Sequence, residues 1–281
     1  MFTTNHFAEL SETIPVAVMH AYVLAMILLV AGGTLFDVIH KQSAKYFFGA
    51  VKKSEQNATR TINSSEKLSL AVHTVASDIL TSSEFCNPIR RIAHLLGMYG
   101  FVIYLISTIV MVFVYPNPEI VTPNAWPILW AVGALMVCLG GYWFWFFIRV
   151  DVSAEGKSIF RVIRADLFIL SLLASTTLGL IWAFLQSVGS GFWSSLFLSL
   201  YLIATTVLFG GIPWSKFSHM FFKSAAAFQK KTANANGSMS NLPKPADRRN
   251  PQDRDRHSME LLKDAPLDMG LGIKRESPNH Y

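Results

Sequence analysis

Long apolar runs divide the chain into five stretches of about twenty residues each, with polar connections between them. The runs lie at about 15–38, 93–115, 126–148, 166–187 and 192–213. A helix needs about 20 predominantly apolar residues to cross the hydrocarbon core of a bilayer. The pattern therefore predicts an all-α integral membrane bundle of five transmembrane helices.

The polar segments divide this chain into a membrane domain over residues 1–228 and a tail over residues 229–281. Loop 39–92 includes apolar residues at helical spacing between Ser64, the predicted N-cap, and residue 80. We expect this helix to lie along the membrane surface or against a partner. The tail is rich in Pro, Asn and Asp, which predicts disorder. Its apolar patch "SMELLKDAPLDMGLGI" is either a chance cluster or a docking peptide for a soluble partner.

Composition supports a membrane protein. Of the 281 residues, 52% are hydrophobic and 15% are charged, whereas soluble domains have about 25% charged residues. A soluble enzyme is therefore excluded. The two cysteines, Cys86 and Cys138, form no metal-binding spacing, so any iron–sulfur cluster has to belong to another protein.

The 24 lysines and arginines fall on one side of the predicted bundle. They lie in residues 39–92, in residues 149–165 and after Pro213, whereas the connections near 116–125 and 188–191 have none. Because cytoplasmic loops carry an excess of Lys and Arg, we expect the N-terminus outside and the C-terminus in the cytoplasm. The net charge of +6 is then a sign of topology and does not indicate nucleic-acid binding.

Ionisable residues in or beside the apolar runs are the candidates for chemistry, because such groups are costly in a membrane. No phosphate-binding loop, nucleophile elbow or HExxH motif is present, and no carboxylate pair is placed for hydrolysis. What remains is histidine chemistry near the cytoplasmic face and a few isolated acids. The candidates are His20, Asp37, His40, His94, Asp166 and His219.

His94 and His219 are the strongest pair. His94 lies at the cytoplasmic start of span two and His219 at the cytoplasmic end of span five. Since these spans run antiparallel, both imidazoles reach the same depth in the membrane. They are candidate axial ligands of the iron of one b-type haem. Gly97, one turn after His94, leaves room for a flat ring or, alternatively, lets two helices approach closely.

Three basic residues lie three or four positions before one histidine or the other: Arg90, Arg91 and Lys216. They suit haem propionates, and they equally suit anchoring of the helices at the cytoplasmic surface. His20 is a candidate contact to a quinone carbonyl or an interfacial packing residue. Asp37 and Asp166 either belong to a proton path to quinone or are helix-end charges.

Three segments carry a resemblance to a known family. "PWSKFSHMFF", "AHLLGMYGFVIYLIST" and "RADLFILSLLASTTLGLI" resemble the last, second and fourth helices of the respiratory nitrate reductase gamma subunit family, which includes the membrane subunit of heterodisulfide reductase. The resemblance covers roughly residues 90–225. It implies a quinone-interacting cytochrome b in a bacterial cytoplasmic membrane. Its partner would be a cytoplasmic iron–sulfur/flavoprotein reductase, such as the adenylylsulfate reductase of sulfur metabolism.

The resemblance also implies how many haems to expect. His94 and His219 match the ligand positions of the family's inner haem, whereas Tyr104 and Tyr201 occupy the positions of the outer-haem ligands. Loss of both outer ligands implies a single haem b on the inner side. We expect Tyr104 and Tyr201 to pack against each other or to line a quinone pocket.

Two other functions remain open. One is a cofactor-free membrane anchor for a soluble redox enzyme, in which His94 and His219 hydrogen-bond across helices. The other is a small permease or channel. A permease would need several polar groups at mid-membrane, but the ionisable candidates here cluster near the interfaces.

Overall fold

The computed structural model describes residues 2–40, 43–83, 85, 87–149, 158, 160–214, 219–240 and 242, with the backbone alone at residues 43, 214 and 219–222. In chain order, its α-helices are α1 (His6–Leu10), α2 (Val16–His40), α3 (Ser43–Gln56), α4 (Ser64–His73), α5 (Pro88–Phe113), α6 (Ala125–Trp143), α7 (Leu167–Ser187), α8 (Gly191–Gly210) and α9 (His219–Ala235). Two compact units result, residues 1–44 with 88–224 and residues 45–87 with 225–281. The part of the chain that is described contains no strand.

Five helical segments of the first unit are long and apolar enough to cross a membrane. They include a π-helical turn that continues α6 and a 3-10 turn that precedes α7. The five-helix, all-α prediction is therefore confirmed, and the chain is a multi-pass membrane protein. Its orientation remains a prediction from the distribution of basic residues. The five segments are Val16–His40, Pro88–Phe113, Ala125–Ile148, Arg164–Ser187 and Gly191–Gly210.

Helices α5 and α6 touch along their backbones. A Cβ atom on Gly100 would lie 2.8 Å from the Gly133 carbonyl oxygen, and one on Gly140 would lie 2.6 Å from the Ala93 carbonyl oxygen. Small residues at such contacts let membrane helices approach closely, since no hydrophobic force drives them together within lipid. Gly97 differs, because a Cβ atom there would meet nothing within 4 Å.

The short helix α1 packs across one end of the first unit. Its N-cap Asn5 accepts hydrogen bonds from the Phe7 and Ala8 amides, and the Asn5 amide donates to the Tyr115 carbonyl over 2.9 Å. Phe7 then contacts Trp130 and Trp182, with ring centroids 5.9 and 5.3 Å away. These bonds to distant parts of the chain fix a helix too short to be stable alone.

The predicted helix near Ser64 is confirmed, but its N-cap is Asn63. The Asn63 side chain accepts a hydrogen bond from the Glu66 amide over 2.8 Å, while Ser64 already belongs to the helix. An asparagine oxygen reaches the third amide of a helix in the way a serine hydroxyl does. The helix continues as π-helix over Thr74–Leu80.

The predicted tail starts later than residue 229, because α9 runs on to Ala235. Its C-terminal end is held by the segment after α3: the amides of Thr59 and Arg60 both donate to the Asn236 carbonyl, over 3.0 and 3.3 Å. The prediction of disorder at residues 229–235 was therefore wrong. It rested on polar composition, which does not reveal hydrogen bonds to a distant part of the chain. Residues 243–281, including the apolar patch at 258–273, lie outside the described residues.

A charged cluster joins α9 to the π-helical turn in the second unit. Lys231 Nζ lies 2.7 Å from Asp78 Oδ2 and 3.0 Å from His73 Nδ1. Burial raises the pKa of Asp78, but hydrogen bonds from Lys231, Ser77 and Ser83, together with the Lys231 charge, outweigh it. The pKa of Asp78 therefore lies below its usual value of 3.8.

Asp78→Asn is expected to speed amide exchange in α4 and the C-terminal half of α9 at pH 7 by about tenfold, because a charge-assisted hydrogen bond contributes about 1.5 kcal/mol. A carboxyl group with a depressed pKa stabilises the fold above its unfolded-state pKa. The unmodified protein should therefore loosen in the same helices as the pH falls below 3.8. Hydrogen–deuterium exchange, corrected for intrinsic rates, measures both effects. Glu55→Gln, at an exposed acid of α3, is the control, and equal rates in the two variants would contradict the prediction.

Candidate functional site

Two tyrosines, Tyr104 on α5 and Tyr201 on α8, meet in the interior of the first unit. The Tyr104 hydroxyl donates a hydrogen bond to the Tyr201 hydroxyl over 2.9 Å, and the two residues are 7% and 5% exposed. Trp130 packs on Tyr104 and Trp182 stacks on Tyr201. The predicted contact between the tyrosines is confirmed.

Gly179 on α7 packs directly against this contact. A Cβ atom there would lie 3.3 Å from both Tyr104 Oη and Tyr201 Cε2, which is tighter than most packing contacts. Ser175, Gly179 and Trp182 follow one another at spacings of four and three, so they share one face of α7. That face is the support on which the tyrosine pair rests.

The tyrosine pair also bears on the outer haem that the family resemblance would place at these positions. A haem ligated from both faces lies between its two ligand atoms. Hydroxyls in direct hydrogen-bond contact leave no space between them for a ring. The geometry of Tyr104 and Tyr201 therefore does not fit a second haem.

An apolar cavity of about 460 Å³ lies beside the pair, walled by α1, α2, α5, α7 and α8. This volume falls within the range of small-molecule pockets, about 300–1,000 Å³. Two of its wall residues on α2, Val18 and Ile27, are 54% and 45% exposed on the outer surface of the bundle. The cavity therefore reaches the side of the bundle that would face lipid. Hydroxyls supply the polar part of the wall: Tyr22, Tyr104, Thr108, Ser175, Tyr201 and Thr205.

Most of these hydroxyls already donate their hydrogen within the protein. Tyr22 donates to the Leu202 carbonyl over 3.0 Å, and Thr205 donates to the Tyr201 carbonyl over 2.8 Å. The Tyr201 hydroxyl accepts from Tyr104, and its second side-chain hydrogen-bond partner is Thr205. A few hydroxyls at an otherwise apolar wall suit a largely apolar ligand that carries a carbonyl oxygen, towards which the Tyr201 O–H can rotate.

The inner-haem candidates lie at the other end of α5. His94 is exposed near the start of the helix, and Gly97, one turn further on, borders open space. Arg90 is exposed and Arg91 half-buried, one turn before His94 on the same side. An imidazole beside an uncovered glycine fits a flat ring, and the arginines fit its carboxylates.

The sequence placed His219 at the cytoplasmic end of span five, but His219 begins a separate helix. Helix α8 ends at Gly210, a 3-10 turn follows over Ile212–Trp214, and His219 is the first residue of α9. A Cβ atom on Gly211 would lie 2.6 Å from the Val207 carbonyl oxygen, and Pro213 lacks the amide that a continuing helix needs. Lys216 and the His219 side chain lie outside the described part of the chain.

Lys223, near the start of α9, interacts electrostatically with His94. Its ammonium group lies within electrostatic range of the His94 imidazole. Because Lys223 follows His219 by four residues, the two residues share one face of α9. Lys223 is thus the described residue through which α9 acts electrostatically on His94.

The other ionisable candidates have structural partners. His20 Nε2 donates to the Val112 carbonyl over 2.9 Å, and its ring stacks on Phe113, which agrees with the packing interpretation. Asp166, at the start of α7, pairs with Arg149, whose Nε donates to Oδ1 over 2.8 Å. Asp37 is buried in the last turn of α2, and His40 stacks on Phe36 at its end.

The fold and the cavity define a multi-pass membrane protein with a ligand-sized space inside its bundle. Comparison with known proteins finds no matching family model, curated protein or solved structure. Membership of the nitrate reductase gamma subunit family remains a resemblance of three segments.

Proposed function

We propose that the protein is the membrane anchor and electron-transfer subunit of a quinone-linked oxidoreductase complex. It would join a cytoplasmic iron–sulfur/flavoprotein reductase to the quinone pool of a bacterial cytoplasmic membrane through one b-type haem. The resemblance favours adenylylsulfate reductase as that partner.

The observation that carries the proposal is the cavity beside the tyrosine pair. A quinone is a mostly apolar ring with carbonyl oxygens, and the cavity is an apolar space with the Tyr201 hydroxyl at its wall. Tyr104 donates to Tyr201 and so holds the Tyr201 hydroxyl in position. Tyr104 follows His94 by ten residues, so the cavity wall is about 15 Å along α5 from the haem candidate.

The haem half of the proposal rests on the other end of α5. His94 and His219 would hold the iron, while Arg90, Arg91 and Lys216 would neutralise the propionates. Bound haem would supply one-electron transfer between the reductase and quinone. The uncovered side of Gly97 and the approach of Lys223 to His94 support this placement.

The first test is a haem count on the purified full-length protein, by the pyridine haemochrome method and a reduced-minus-oxidised spectrum. We expect about one b-type haem per chain. Two haems would overturn the interpretation of Tyr104 and Tyr201. No haem in well-folded protein would overturn the electron relay and leave the cofactor-free anchor.

Tyr201→Phe is expected to weaken quinone binding about fivefold, because one hydrogen bond contributes about 1 kcal/mol. Quenching of tryptophan fluorescence by a short-chain quinone measures the binding without any turnover, since Trp182 stacks on Tyr201. Tyr142→Phe is the matched control, because Tyr142 bonds to Thr177 away from the cavity. Equal affinities in the two variants would contradict the proposed donor.

A further inference from the structure

One face of α3 is fixed within the second unit. Ser54 is buried, and its hydroxyl contacts Ser238 Oγ over 2.8 Å and Asn236 Nδ2 over 3.1 Å. Phe47 and Val51 are half-buried on the same side of the helix. The opposite side of α3 is thereby defined as its outward face.

The outward face carries lysines flanked by aromatic side chains. Lys45, Gly49 and Lys52 follow at spacings of four and three, so they form one row along the helix. Tyr46 and Phe48 lie on either side of this row and are 75% and 67% exposed.

The charge of this face is positive. Lys45, Lys52 and Lys53 form no ion pair among the described residues, and Glu55 is the single acid of the helix. Exposed aromatic rings that flank a row of lysines are typical of helices at the headgroup level of a membrane.

The position of α3 in the chain agrees with a place at headgroup level. The helix begins at Ser43, three residues after His40 ends the membrane helix α2. Three residues extend at most about 11 Å, and the headgroup layer is about 5–7 Å thick on each side of the bilayer. The first turn of α3 therefore begins within about 11 Å of the end of the membrane helix, close to the headgroup layer.

We propose that the outward face of α3 binds the anionic headgroup layer of the leaflet at which α2 ends. Juxtamembrane lysines are attracted to anionic lipids, and tyrosine rings are enriched at headgroup level. The lysine row contacts lipid phosphates, and Tyr46 and Phe48 insert on either side of it. This contact is independent of haem and of quinone.

Spin labels on the full-length protein in nanodiscs test the contact. In a Cys86→Ala, Cys138→Ala background, Gly49→Cys places the label in the lysine row, where a Cβ atom meets nothing within 4 Å. We expect its accessibility ratio, oxygen over a water-soluble nickel chelate, to be several-fold higher in discs containing phosphatidylglycerol than in phosphatidylcholine discs. A label at Ser65→Cys, on the exposed side of α4, should be water-accessible in both.

Lys45→Gln with Lys52→Gln should abolish the effect of phosphatidylglycerol on the Gly49→Cys label, with an unchanged thermal unfolding midpoint as the folding control. Three outcomes overturn the proposal. These are a water-accessible label in anionic discs, lipid exposure that is the same in both kinds of disc, and protection that arises only when a soluble protein is added.

Discussion

Alanine at His94 or at His219 is expected to abolish the b-type haem spectrum of the purified protein. Each change removes one of the two proposed axial ligands, and a ring held from one face only is lost during purification. The measurement is the reduced-minus-oxidised difference spectrum together with the haem count per chain. We expect a loss of at least about tenfold in bound haem, which corresponds to about 1.4 kcal/mol.

His20→Ala is the matched control for both variants. His20 also lies on a membrane helix, but its Nε2 is bonded to the Val112 carbonyl, so its loss should leave the haem content unchanged. Added imidazole should restore absorbance to His94→Ala if His94 is a ligand, whereas it would not repair a purely structural defect. Full haem content in either ligand variant would show that the iron is held elsewhere.

Gly100→Ala is expected to destabilise the membrane bundle by about 1–3 kcal/mol, the usual cost of overpacking. The added methyl group would lie 2.7 Å from Met136 Cβ and 2.9 Å from the Val137 amide nitrogen. Since backbone atoms cannot move aside as a side-chain end can, α5 and α6 have to separate. Thermal unfolding in detergent, followed by tryptophan fluorescence, measures the loss.

Gly97→Ala is the control, because it makes the same chemical change three residues earlier on the same helix. A methyl group at Gly97 meets nothing within 4 Å, and alanine favours a helix over glycine by about 1 kcal/mol. We therefore expect an unfolding midpoint that is unchanged or higher. Equal destabilisation by the two variants would contradict the close contact of α5 with α6.

The membrane helices could be predicted from sequence because they depend on local composition. About twenty apolar residues in a row are enough to identify a span, and no distant contact changes that result. The ends are harder to predict. The fifth helix stops at Gly210, and the residues that stop it, Gly210, Gly211 and Pro213, were present in the sequence but were outweighed by the apolar pattern.

Elements that depend on tertiary contacts could not be predicted. Helix α1 exists because Asn5 bonds to Tyr115 and the Gln186 amide donates to the His6 carbonyl. The end of α9 likewise depends on Thr59, far away in the chain. Such bonds leave no mark on periodicity or composition.

The candidate site was accessible from sequence only in part. The contact of Tyr104 with Tyr201 followed from their paired positions in the family resemblance, and it is confirmed. The cavity beside them was not foreseen as a space, because its volume depends on how far α2 stands from α5 and α8. Trp130 and Trp182 were also missed, although Ser175, Gly179 and Trp182 mark one face of α7.

The closure of one end of the cavity by α1 determines how a ligand reaches the tyrosine pair. Phe7, Leu10 and Ile14 line that end, whereas Val18 and Ile27 open the wall of α2 towards the fatty-acyl phase. A ligand of this cavity would therefore enter by lateral diffusion, and its occupancy would follow its mole fraction in the lipid rather than its concentration in water. Partitioning thus selects the ligands before the protein contacts any of them, and an affinity measured in micelles has meaning only with the detergent volume stated.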